Sequence, residues 1–297
     1  MKPQVQDDKP VFSEILWALP QNVNKYNRGS VLMVAGSTGM AGAGVLAADA
    51  AIRAGVGLVT LAHPDSLIEV YGKMLPETMT MPLPSTPAGT LAQSAAEAVL
   101  TKADSFNVLA IGPGLSKNSE TQAAVVEILM NWKKPKVVDA SALTAYVARP
   151  ELYDEFTIIT PHASEMRELF TSDRFKKGSQ IEADKLAAAE EFAALHPKPI
   201  LVLKGHGTVI VNGSSGRIVI SKTGSPGLAK AGTGDVLTGI MAGLVAQNQD
   251  KLFESAATAV YLHGLAGDLA ENSIGERSIT ASDVIKFLPK AVKEAEK

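Results

Sequence analysis

Val31-Leu32-Met33-Val34-Ala35 opens the unit that decides the fold of this chain. The run is apolar throughout, which predicts a strand buried on both faces. An alanine-rich stretch at 43–54 follows and ends at Gly55, as expected of a helix, and Gly57-Leu58-Val59-Thr60-Leu61-Ala62 predicts a second buried strand. Two buried strands joined by a helix are typical of a parallel sheet whose faces are covered by helices. The unit therefore predicts an α/β fold.

The same alternation continues along the chain. Further buried strands are predicted at 108–111, 136–139, 157–160 and 200–204, and further helices at 91–101, 121–132, 164–170 and 181–195. The runs 208–211 and 217–221 are separated by a turn sequence, which predicts an antiparallel hairpin. We expect a three-layer domain over residues 26–297, with a mostly parallel central sheet, helices on both faces, an antiparallel edge hairpin and an N-terminal extension at 1–25.

Composition narrows the classes of function. A net charge of −3 gives no general attraction to nucleic acid or to an anionic membrane, so neither partner is expected. No apolar run approaches the roughly 18 residues of a membrane span, and the polar segment 1–8 does not look like a signal peptide. The chain has 0 cysteines, which fits a reducing cytosol. These features predict a cytoplasmic protein.

A glycine-rich turn, Ala231-Gly232-Thr233-Gly234-Asp235, precedes the apolar stretch 236–246. Free N–H groups at the start of a helix attract anions, and glycine lets the backbone approach a phosphate closely. A carboxylate beside a phosphate is repelled, so Asp235 would be there as a base that takes a proton from a hydroxyl. This interpretation predicts phosphoryl transfer to an alcohol. The alternative is that Asp235 caps the helix, and the segment alone leaves both open.

Three other turns at strand ends have either a structural role or a ligand-binding role. The second is considered because ligands bind at the carboxyl ends of the strands in open α/β sheets. The turn 36–44 is either a backbone surface for a substrate or a loop of small residues that packs a helix. Its G-x-G-x-x-A match starts too far beyond the strand to predict a dinucleotide-binding Rossmann site. Gly112-Pro113-Gly114 is either a tight turn or a close approach to a ligand. For Asp139 we favour a helix cap over a site role.

Two later turns offer charged groups. His162 follows Thr160-Pro161 and would point into the cleft if it is not structural, and Glu165 would either cap a helix or hold Mg²⁺. Lys204-Gly205-His206-Gly207-Thr208 is either a hairpin turn or a set of contacts to a nucleotide phosphate. The 5 histidines lack metal-binding spacing, so no zinc site is expected.

Together and in this order, the turns resemble those of the ADP/ATP-dependent NAD(P)H-hydrate dehydratases, a family of the ribokinase-like superfamily. The resemblance is carried by residues 29–44, 51–60, 112–114, 160–162 with Glu165, 203–205 with Thr208, and 231–239. It implies a ribokinase-like domain that repairs hydrated NADH and NADPH. ADP or ATP, with Mg²⁺, would phosphorylate the hydroxyl that hydration adds to the nicotinamide ring, and loss of phosphate would restore the dinucleotide. The implied enzyme is an (S)-NAD(P)H-hydrate dehydratase, a carbon–oxygen lyase, with ADP favoured over ATP.

The resemblance also implies roles for individual residues. Asp235 would be the base, and Gly232, Thr233 and Gly234 would form the anion hole. The implied nucleotide contacts are Lys204, Gly205, His206, Gly207, Thr208 and Gly234. The implied contacts to the hydrated dinucleotide are Ala43, Gly114, His162 and Asp235. Glu165 would hold Mg²⁺ directly or through water.

This chain departs from the family pattern in three places. Ser225-Pro226-Gly227-Leu228-Ala229 stands where the family usually has Asn-Pro-Gly-Met-Ala. Ala163-Ser164 stands where the family usually has Pro-Gly, and Ala231 replaces a glycine beside the phosphate site. Family members are expected to be homotetramers. They are also expected to act with an NAD(P)H-hydrate epimerase, which for this chain would be a separate protein.

Two other functions remain open from the sequence. One is a ribokinase-like kinase of a vitamin-precursor alcohol, of the hydroxyethylthiazole or hydroxymethylpyrimidine type, which would use the same turn and Asp235. The other is a non-catalytic nucleotide-binding protein, which would gain nothing from a carboxylate beside a phosphate. The turn 36–44 and Thr160-Pro161-His162 favour the dehydratase.

Overall fold

A mostly parallel sheet runs through the computed structural model, which describes residues 4–6, 15–16, 20–147, 149–170 and 172–297. Ten strands of these residues form the sheet: β1 (Gln4–Gln6), β2 (Ser30–Val34), β3 (Leu58–Pro64), β4 (Met79–Leu83), β5 (Val108–Ile111), β6 (Lys136–Val138), β7 (Thr157–Ile159), β8 (Ile200–Leu203), β9 (Val209–Asn212) and β10 (Arg217–Ile220). Their order is β1-β10-β9-β8-β7-β6-β5-β2-β3-β4. Only β9 runs antiparallel to its neighbours among these strands. The mostly parallel sheet and the β9–β10 hairpin near one edge are confirmed.

Helices cover both faces of this sheet. They are α1 (Ala41–Arg53), α2 (Ile68–Met74), α3 (Ala95–Thr101), α4 (Ser119–Asn131), α5 (Ala163–Leu169), α6 (Gly178–Ala183), α7 (Lys185–Leu195), α8 (Thr233–Gln247), α9 (Leu252–Ile274) and α10 (Ala281–Ala295). One hydrophobic core joins the sheet to α1, α2 and α8–α10, and a second joins it to α3–α7. None of the helices in the described ranges combines the length and apolarity that a membrane crossing requires.

Strand β2 shows why the sheet is buried on both faces. Val31 and Met33 point into the core with α1 and α8, whereas Leu32 and Val34 point into the opposite core, and all four are 0% exposed. Alternation of side chains along a strand sends successive residues to opposite faces, so both sets must be apolar. The continuous apolar run that predicted this strand is thereby explained.

Helix α8 is nearly enclosed and packs closely on α1. A β-carbon at Gly239 would lie 2.1 Å from the carbonyl oxygen of Ala47, so glycine permits this approach of the two helices. The packing places the first turn of α8 beside the first turns of α1. A β-carbon at Gly232 would lie 2.7 Å from Cδ1 of Leu46 on α1, which shows how near the two helix starts are.

Parts of the predicted N-terminal extension contact the domain. Strand β1 pairs in parallel with β10, outside the hairpin, and Ile15 is 2% exposed in the core. The division at residue 25 stays a prediction, as does the single domain at 26–297. The helix predicted at 181–195 is wrong as one element, because Asp184 ends α6 and caps α7 by accepting the Ala187 N–H at 3.2 Å.

Candidate active site

Four of the turns that the sequence singled out meet at one edge of the sheet. Asp139 follows β6, Thr160 follows β7 and Lys204 follows β8, so all three lie at the carboxyl ends of parallel strands. The Lys204 N–H donates to the carbonyl of Pro161 at 2.9 Å, which extends the pairing of β7 and β8 beyond the strands. The start of α8 faces the same edge, because Thr238 of α8 donates to Asp139 at 2.9 Å. This is the edge where ligands bind in open α/β sheets.

The first turn of α8 offers free N–H groups. Gly232 is the N-cap residue with φ of +89°, a conformation that favours glycine. Within the described residues, the N–H groups of Gly234 and Asp235 have no hydrogen-bond acceptor. The Thr233 hydroxyl donates to the carbonyls of Leu228 and Lys230, each at 2.9 Å, and holds the turn. The turn can therefore receive an anion through its backbone.

Asp235 carries a carboxylate that has no partner among the residues that the structure describes. Its side chain makes no hydrogen bond or ion pair within the part of the chain that the structure describes, and no side chain caps α8. The capping interpretation of Asp235 is therefore wrong. Burial, followed by the negative charge of Asp139, raises the pKa of Asp235 to about 6, although Lys204 opposes the shift. A carboxylate with this proton affinity can serve as a base near neutral pH.

Asp139 is the centre of a buried polar network. It is 2% exposed, and its Oδ1 accepts from Lys204 Nζ at 2.7 Å and from Thr160 Oγ1 at 2.8 Å. Its Oδ2 accepts from Thr238 Oγ1 at 2.9 Å. The favoured interpretation of Asp139 as a helix cap is wrong, because its side chain makes no capping hydrogen bond to the short 3₁₀ segment Ala140–Tyr146.

Lys204 joins this network to the α8 turn. A β-carbon at Gly234 would lie 3.6 Å from Lys204 Nζ, so the ammonium group sits against the anion-binding backbone. Burial lowers the pKa of Lys204, but Asp139 and Glu165 raise it more, and the net shift is upward. The side chain is 18% exposed and stays charged. A fixed cation beside free N–H groups suits a phosphate.

Two residues of this region were missed from the sequence. His263 of α9 lies with Nε2 at 2.9 Å from the Thr233 carbonyl, so Nε2 carries the hydrogen and donates. Burial lowers the pKa of His263 to about 4, and the ring supports the α8 turn in its neutral form. Thr238 was the second omission. In both cases the available signal was a polar residue with apolar neighbours in the sequence of a helix.

The residues expected to contact the hydrated dinucleotide lie in two places. Ala43 and Gly114 adjoin each other, because a β-carbon at Gly114 would lie 2.9 Å from Cβ of Ala43. His162 lies across the site beside Lys204, with which it forms a parallel bridge. Its Nδ1 accepts the N–H groups of Ser164 and Glu165 at 3.1 and 3.2 Å and so caps α5. His162 remains 55% exposed and lines a cleft of about 260 Å³.

The segment Lys204–Thr208 connects the antiparallel strands β8 and β9, so it is a hairpin connection in form. Gly205 and Gly207 have φ of +135° and +63°. The Thr208 hydroxyl donates to the Gly205 carbonyl at 2.9 Å, and Lys185 Nζ donates to the His206 carbonyl at 2.5 Å. The loop is thus anchored to α7, while Gly205 and His206 are exposed residues. The segment can therefore be a hairpin turn and still be able to contact a nucleotide phosphate.

Comparison with known proteins assigns the family. A family model described as NAD(P)H-hydrate dehydratase matches residues 31–290. This chain belongs to the NAD(P)H-hydrate dehydratase family. The bifunctional NAD(P)H-hydrate repair enzyme of Moorella thermoacetica is 42% identical over 271 residues, which cover 90% of this chain and 50% of that protein. The chain spans about half the length of the curated relatives it matches.

Solved structures agree with this assignment to the dehydratase family. The ADP/ATP-dependent NAD(P)H-hydrate dehydratase of Bacillus subtilis, crystallised with ATP and Mg²⁺, is 27% identical with a TM-score of 0.79, and the match covers 100% of both chains. A ribokinase-like superfamily protein of Enterococcus faecalis is 26% identical with a TM-score of 0.82 over 97% of this chain and 95% of that one. The ribokinase-like fold predicted from the sequence is confirmed.

The departure at Ala231 leaves the α8 turn intact. Ala231 is exposed, and among the described residues Ala140 alone has a positive φ without being glycine. The backbone at position 231 therefore does not require glycine. Gly232 does favour glycine, because its φ is +89° and a β-carbon there would lie 2.7 Å from Cδ1 of Leu46, and this glycine is retained.

Glu165 is a residue of this site that suits a magnesium ion. Its Oε2 accepts the His162 N–H at 2.9 Å, which confirms the capping interpretation, and Oε1 has no hydrogen-bond donor within the described residues. No cluster of three potential metal ligands occurs among the residues that the structure describes. Mg²⁺ commonly uses one or two carboxylates together with nucleotide phosphates, so a single free carboxylate oxygen fits the ion. The metal role of Glu165 stays a prediction.

Tyr71 of α2 supports the turn 36–44 from below. The ring is 0% exposed, and its hydroxyl oxygen would lie 2.0 Å from a β-carbon at Gly36 and 2.7 Å from one at Gly44. The hydroxyl has no hydrogen-bond partner within the described residues. The two glycines of the turn are thus fixed by contact with this ring.

We predict that Tyr71→Phe leaves stability within about 1 kcal/mol of the parent, because an unpaired hydroxyl contributes no hydrogen bond. Tyr71→Ala should lower the free energy of unfolding by about 3 to 5 kcal/mol, because it leaves a cavity. The turn 36–44 should then move toward that cavity. Urea unfolding measures the change in stability, and the KM for the hydrated dinucleotide expected as substrate measures the change at the turn. Equal damage in the two variants would contradict this role of the ring.

Proposed function

We propose that this protein repairs hydrated NADH and NADPH as an ADP-dependent or ATP-dependent (S)-NAD(P)H-hydrate dehydratase. The observation that carries the proposal is the unpaired Asp235 carboxylate, whose pKa is raised to about 6, beside the free N–H groups of the α8 turn. Lys204 supplies a cation at the same place. Membership of the dehydratase family supports the choice of substrate.

The first chemical step is phosphoryl transfer. Asp235 takes the proton from the ring hydroxyl, and the hydroxyl oxygen forms a bond to the terminal phosphorus of the nucleotide. The bond between that phosphorus and the bridging oxygen breaks, and the shortened nucleotide leaves with the electron pair. The backbone N–H groups of Gly234 and Asp235 and the ammonium of Lys204 stabilise the charge on the moving phosphoryl group.

The second step is elimination. The ring nitrogen pushes electrons toward the phosphorylated carbon, the carbon–oxygen bond breaks, and phosphate leaves with the bonding pair. A proton is lost from the neighbouring ring carbon, which restores the dihydronicotinamide. The net change removes water from the hydrated dinucleotide and hydrolyses one nucleotide phosphate. Phosphorylation is needed because phosphate leaves far more readily than hydroxide.

Other parts of the site have roles in this proposal. The segment Lys204–Thr208 would hold the nucleotide phosphates with Gly234, and Ala43, Gly114 and His162 would hold the hydrated dinucleotide. When bound, Mg²⁺ would neutralise charge on the transferring phosphates, with Glu165 as its protein contact. Partnership with an NAD(P)H-hydrate epimerase, a homotetramer, and a cytoplasmic location are further predictions, and so is the preference for ADP.

The test incubates purified protein and Mg²⁺ with hydrated NADH or NADPH and with ADP or ATP. We expect the dihydronicotinamide absorbance to return, with one phosphate released for each molecule restored, and no return when nucleotide is omitted. The same protein is offered a hydroxyethylthiazole and a hydroxymethylpyrimidine. A stable phosphorylated alcohol from either compound, without repair of the hydrate, would establish the kinase alternative instead.

A further inference from the structure

Asp139 is bound by donors from three separate elements. Thr160 lies at the end of β7, Lys204 at the end of β8, and Thr238 on α8, and each donates to the Asp139 carboxylate at 2.7 to 2.9 Å. The sequence separations from Asp139 to Lys204 and Thr238 are 65 and 99 residues. A buried carboxylate is stable only with such a set of donors. Asp139 therefore fixes these elements relative to one another.

The donors lie next to the reacting groups. Thr238 follows Asp235 by one turn of α8, so it shares that face of the helix. Lys204 Nζ lies against Gly234, and its four-carbon stem is flexible unless its end is held. Asp139 is the nearest carboxylate to Lys204 Nζ, at 2.7 Å, whereas Glu165 is 4.0 Å away.

We propose that Asp139 is a positioning residue for phosphoryl transfer, holding the Lys204 ammonium beside the Gly232–Asp235 turn at a fixed distance from the base. This inference rests on the proposed function. Asp139 acts through Lys204 and through α8 and does not contact the substrate itself. A displacement of such a cation by about 1 Å is enough to lower a rate by about 100-fold.

The charges around Asp235 give this proposal a distinct pH signature. Asp139 raises the pKa of Asp235 and Lys204 lowers it, while Glu165 faces Lys204 and the His263 ring behind the turn is neutral above about pH 4. Burial is the largest cause of the raised pKa of Asp235 and is unchanged when the Asp139 charge is lost, but the charge of Lys204 is then no longer opposed by that of Asp139. The pKa of Asp235 should therefore fall, and the acid limb of the kcat/KM profile should move to lower pH.

The chain contains a matched control at the opposite end of β6. Lys136 Nζ is buried and donates to Asp154 Oδ2 at 2.6 Å, and Asp154 also accepts from Thr157 Oγ1 at 2.6 Å. Asp154→Asn thus breaks a buried lysine–aspartate pair of similar composition, remote from the α8 turn. Both it and Asp139→Asn should lower Tm, because each removes the carboxylate charge that lies 2.6 or 2.7 Å from a lysine ammonium group.

The experiment compares the parent, Asp139→Asn and Asp154→Asn. We expect Asp139→Asn to lower kcat by about 10- to 100-fold, to move the acid limb down and to weaken the binding of ADP with Mg²⁺ measured by calorimetry. Asp154→Asn should change none of these. Parent-like behaviour of Asp139→Asn, or equal losses in both variants, would overturn the proposal.

Two further measurements decide the role of Asp139 if Asp139→Asn does not fold or if the parent protein lacks the proposed activity. If Asp139→Asn does not fold, Thr238→Val and Thr238→Ser carry the same test, because serine keeps the hydroxyl that donates to Asp139. Loss in the valine variant with recovery in the serine variant supports the proposal, and equal behaviour of the two overturns it. If the parent fails to repair hydrated NADH, the proposed function fails, while ADP binding still decides the role of Asp139.

Discussion

Asp235→Asn should lower kcat by about 10²- to 10⁴-fold while raising the stability of the fold. The amide cannot take a proton from the ring hydroxyl, so the loss falls on the chemical step. The backbone N–H groups of Gly234 and Asp235 and the ammonium of Lys204 are unchanged, so the binding of ADP should be retained. Single-turnover rates and calorimetric binding of ADP separate the two effects.

The gain in stability follows from the sign of the pKa shift. The pKa of Asp235 is raised from 3.8 to about 6 in the fold, so the folded protein disfavours the carboxylate. This cost is fully present above about pH 6 and disappears as the pH falls toward the unfolded value. At pH 7.5 the asparagine variant should be more stable by about 1 to 3 kcal/mol, since Asp235 is partly exposed. The difference in Tm should shrink toward pH 4.

The same pKa predicts the activity profile of the parent. The value of kcat/KM should fall about tenfold per pH unit below about pH 6, as the base of the free enzyme becomes protonated. Asp49→Asn on α1 is a suitable control, because burial also raises the pKa of Asp49 and its side chain is 47% exposed beside Arg53. That variant should leave kcat and the acid limb unchanged. Near-normal turnover in Asp235→Asn would refute the assignment of the base.

The central sheet was predictable because its strands are buried on both faces. Runs such as Val108–Ile111 and Ile200–Leu203 are apolar throughout, and the strands begin and end within a residue or two of the predicted bounds. The edge was not predictable in the same way. Strand β4 reads Met-Thr-Met-Pro-Leu, is largely exposed, and contains Pro82, which argues against a strand unless it lies at an edge.

The glycine turns of the site were also visible from local sequence. A turn followed by an apolar helix identified Gly232–Asp235, and its free N–H groups are a local consequence of the helix start. The break in the predicted helix 181–195 could also have been predicted from local sequence. Asp184 lies inside that stretch, and aspartate is a favoured N-cap residue.

The network around Asp139 could not be derived locally. From the sequence, an aspartate before Ala140-Ser141-Ala142 resembles a helix cap, and nothing nearby indicates a different use. Its partners Lys204 and Thr238 become neighbours only through the order of β6, β7 and β8 and the packing of α8. The raised pKa of Asp235 depends on the same long-range arrangement. Motifs therefore located the site, and tertiary structure supplied its electrostatics.

Gly112→Ala should disable both folding and activity, through the loop that carries Asp139. Gly112 has φ of +130°, and a β-carbon there would lie 1.7 Å from the backbone carbonyl oxygen of Asp139. The Asp139 backbone cannot easily retreat, because its N–H donates to Ile111 at 3.0 Å and its carboxylate is held by three donors. We expect a loss of about 2 to 6 kcal/mol from backbone strain and overlap together.

Any folded Gly112→Ala protein must displace Asp139, so Lys204 should shift with it and kcat should fall by about 100-fold. Two controls separate the causes. Gly72→Ala lies in α2 with open space around its β-carbon and should gain about 0.5 to 1 kcal/mol with kcat unchanged. Gly216→Ala has open space but φ of +67°, so it should lose about 1 kcal/mol from strain alone. If Gly112→Ala matched Gly216→Ala in stability and kept parent activity, the contact with Asp139 would not constrain the site.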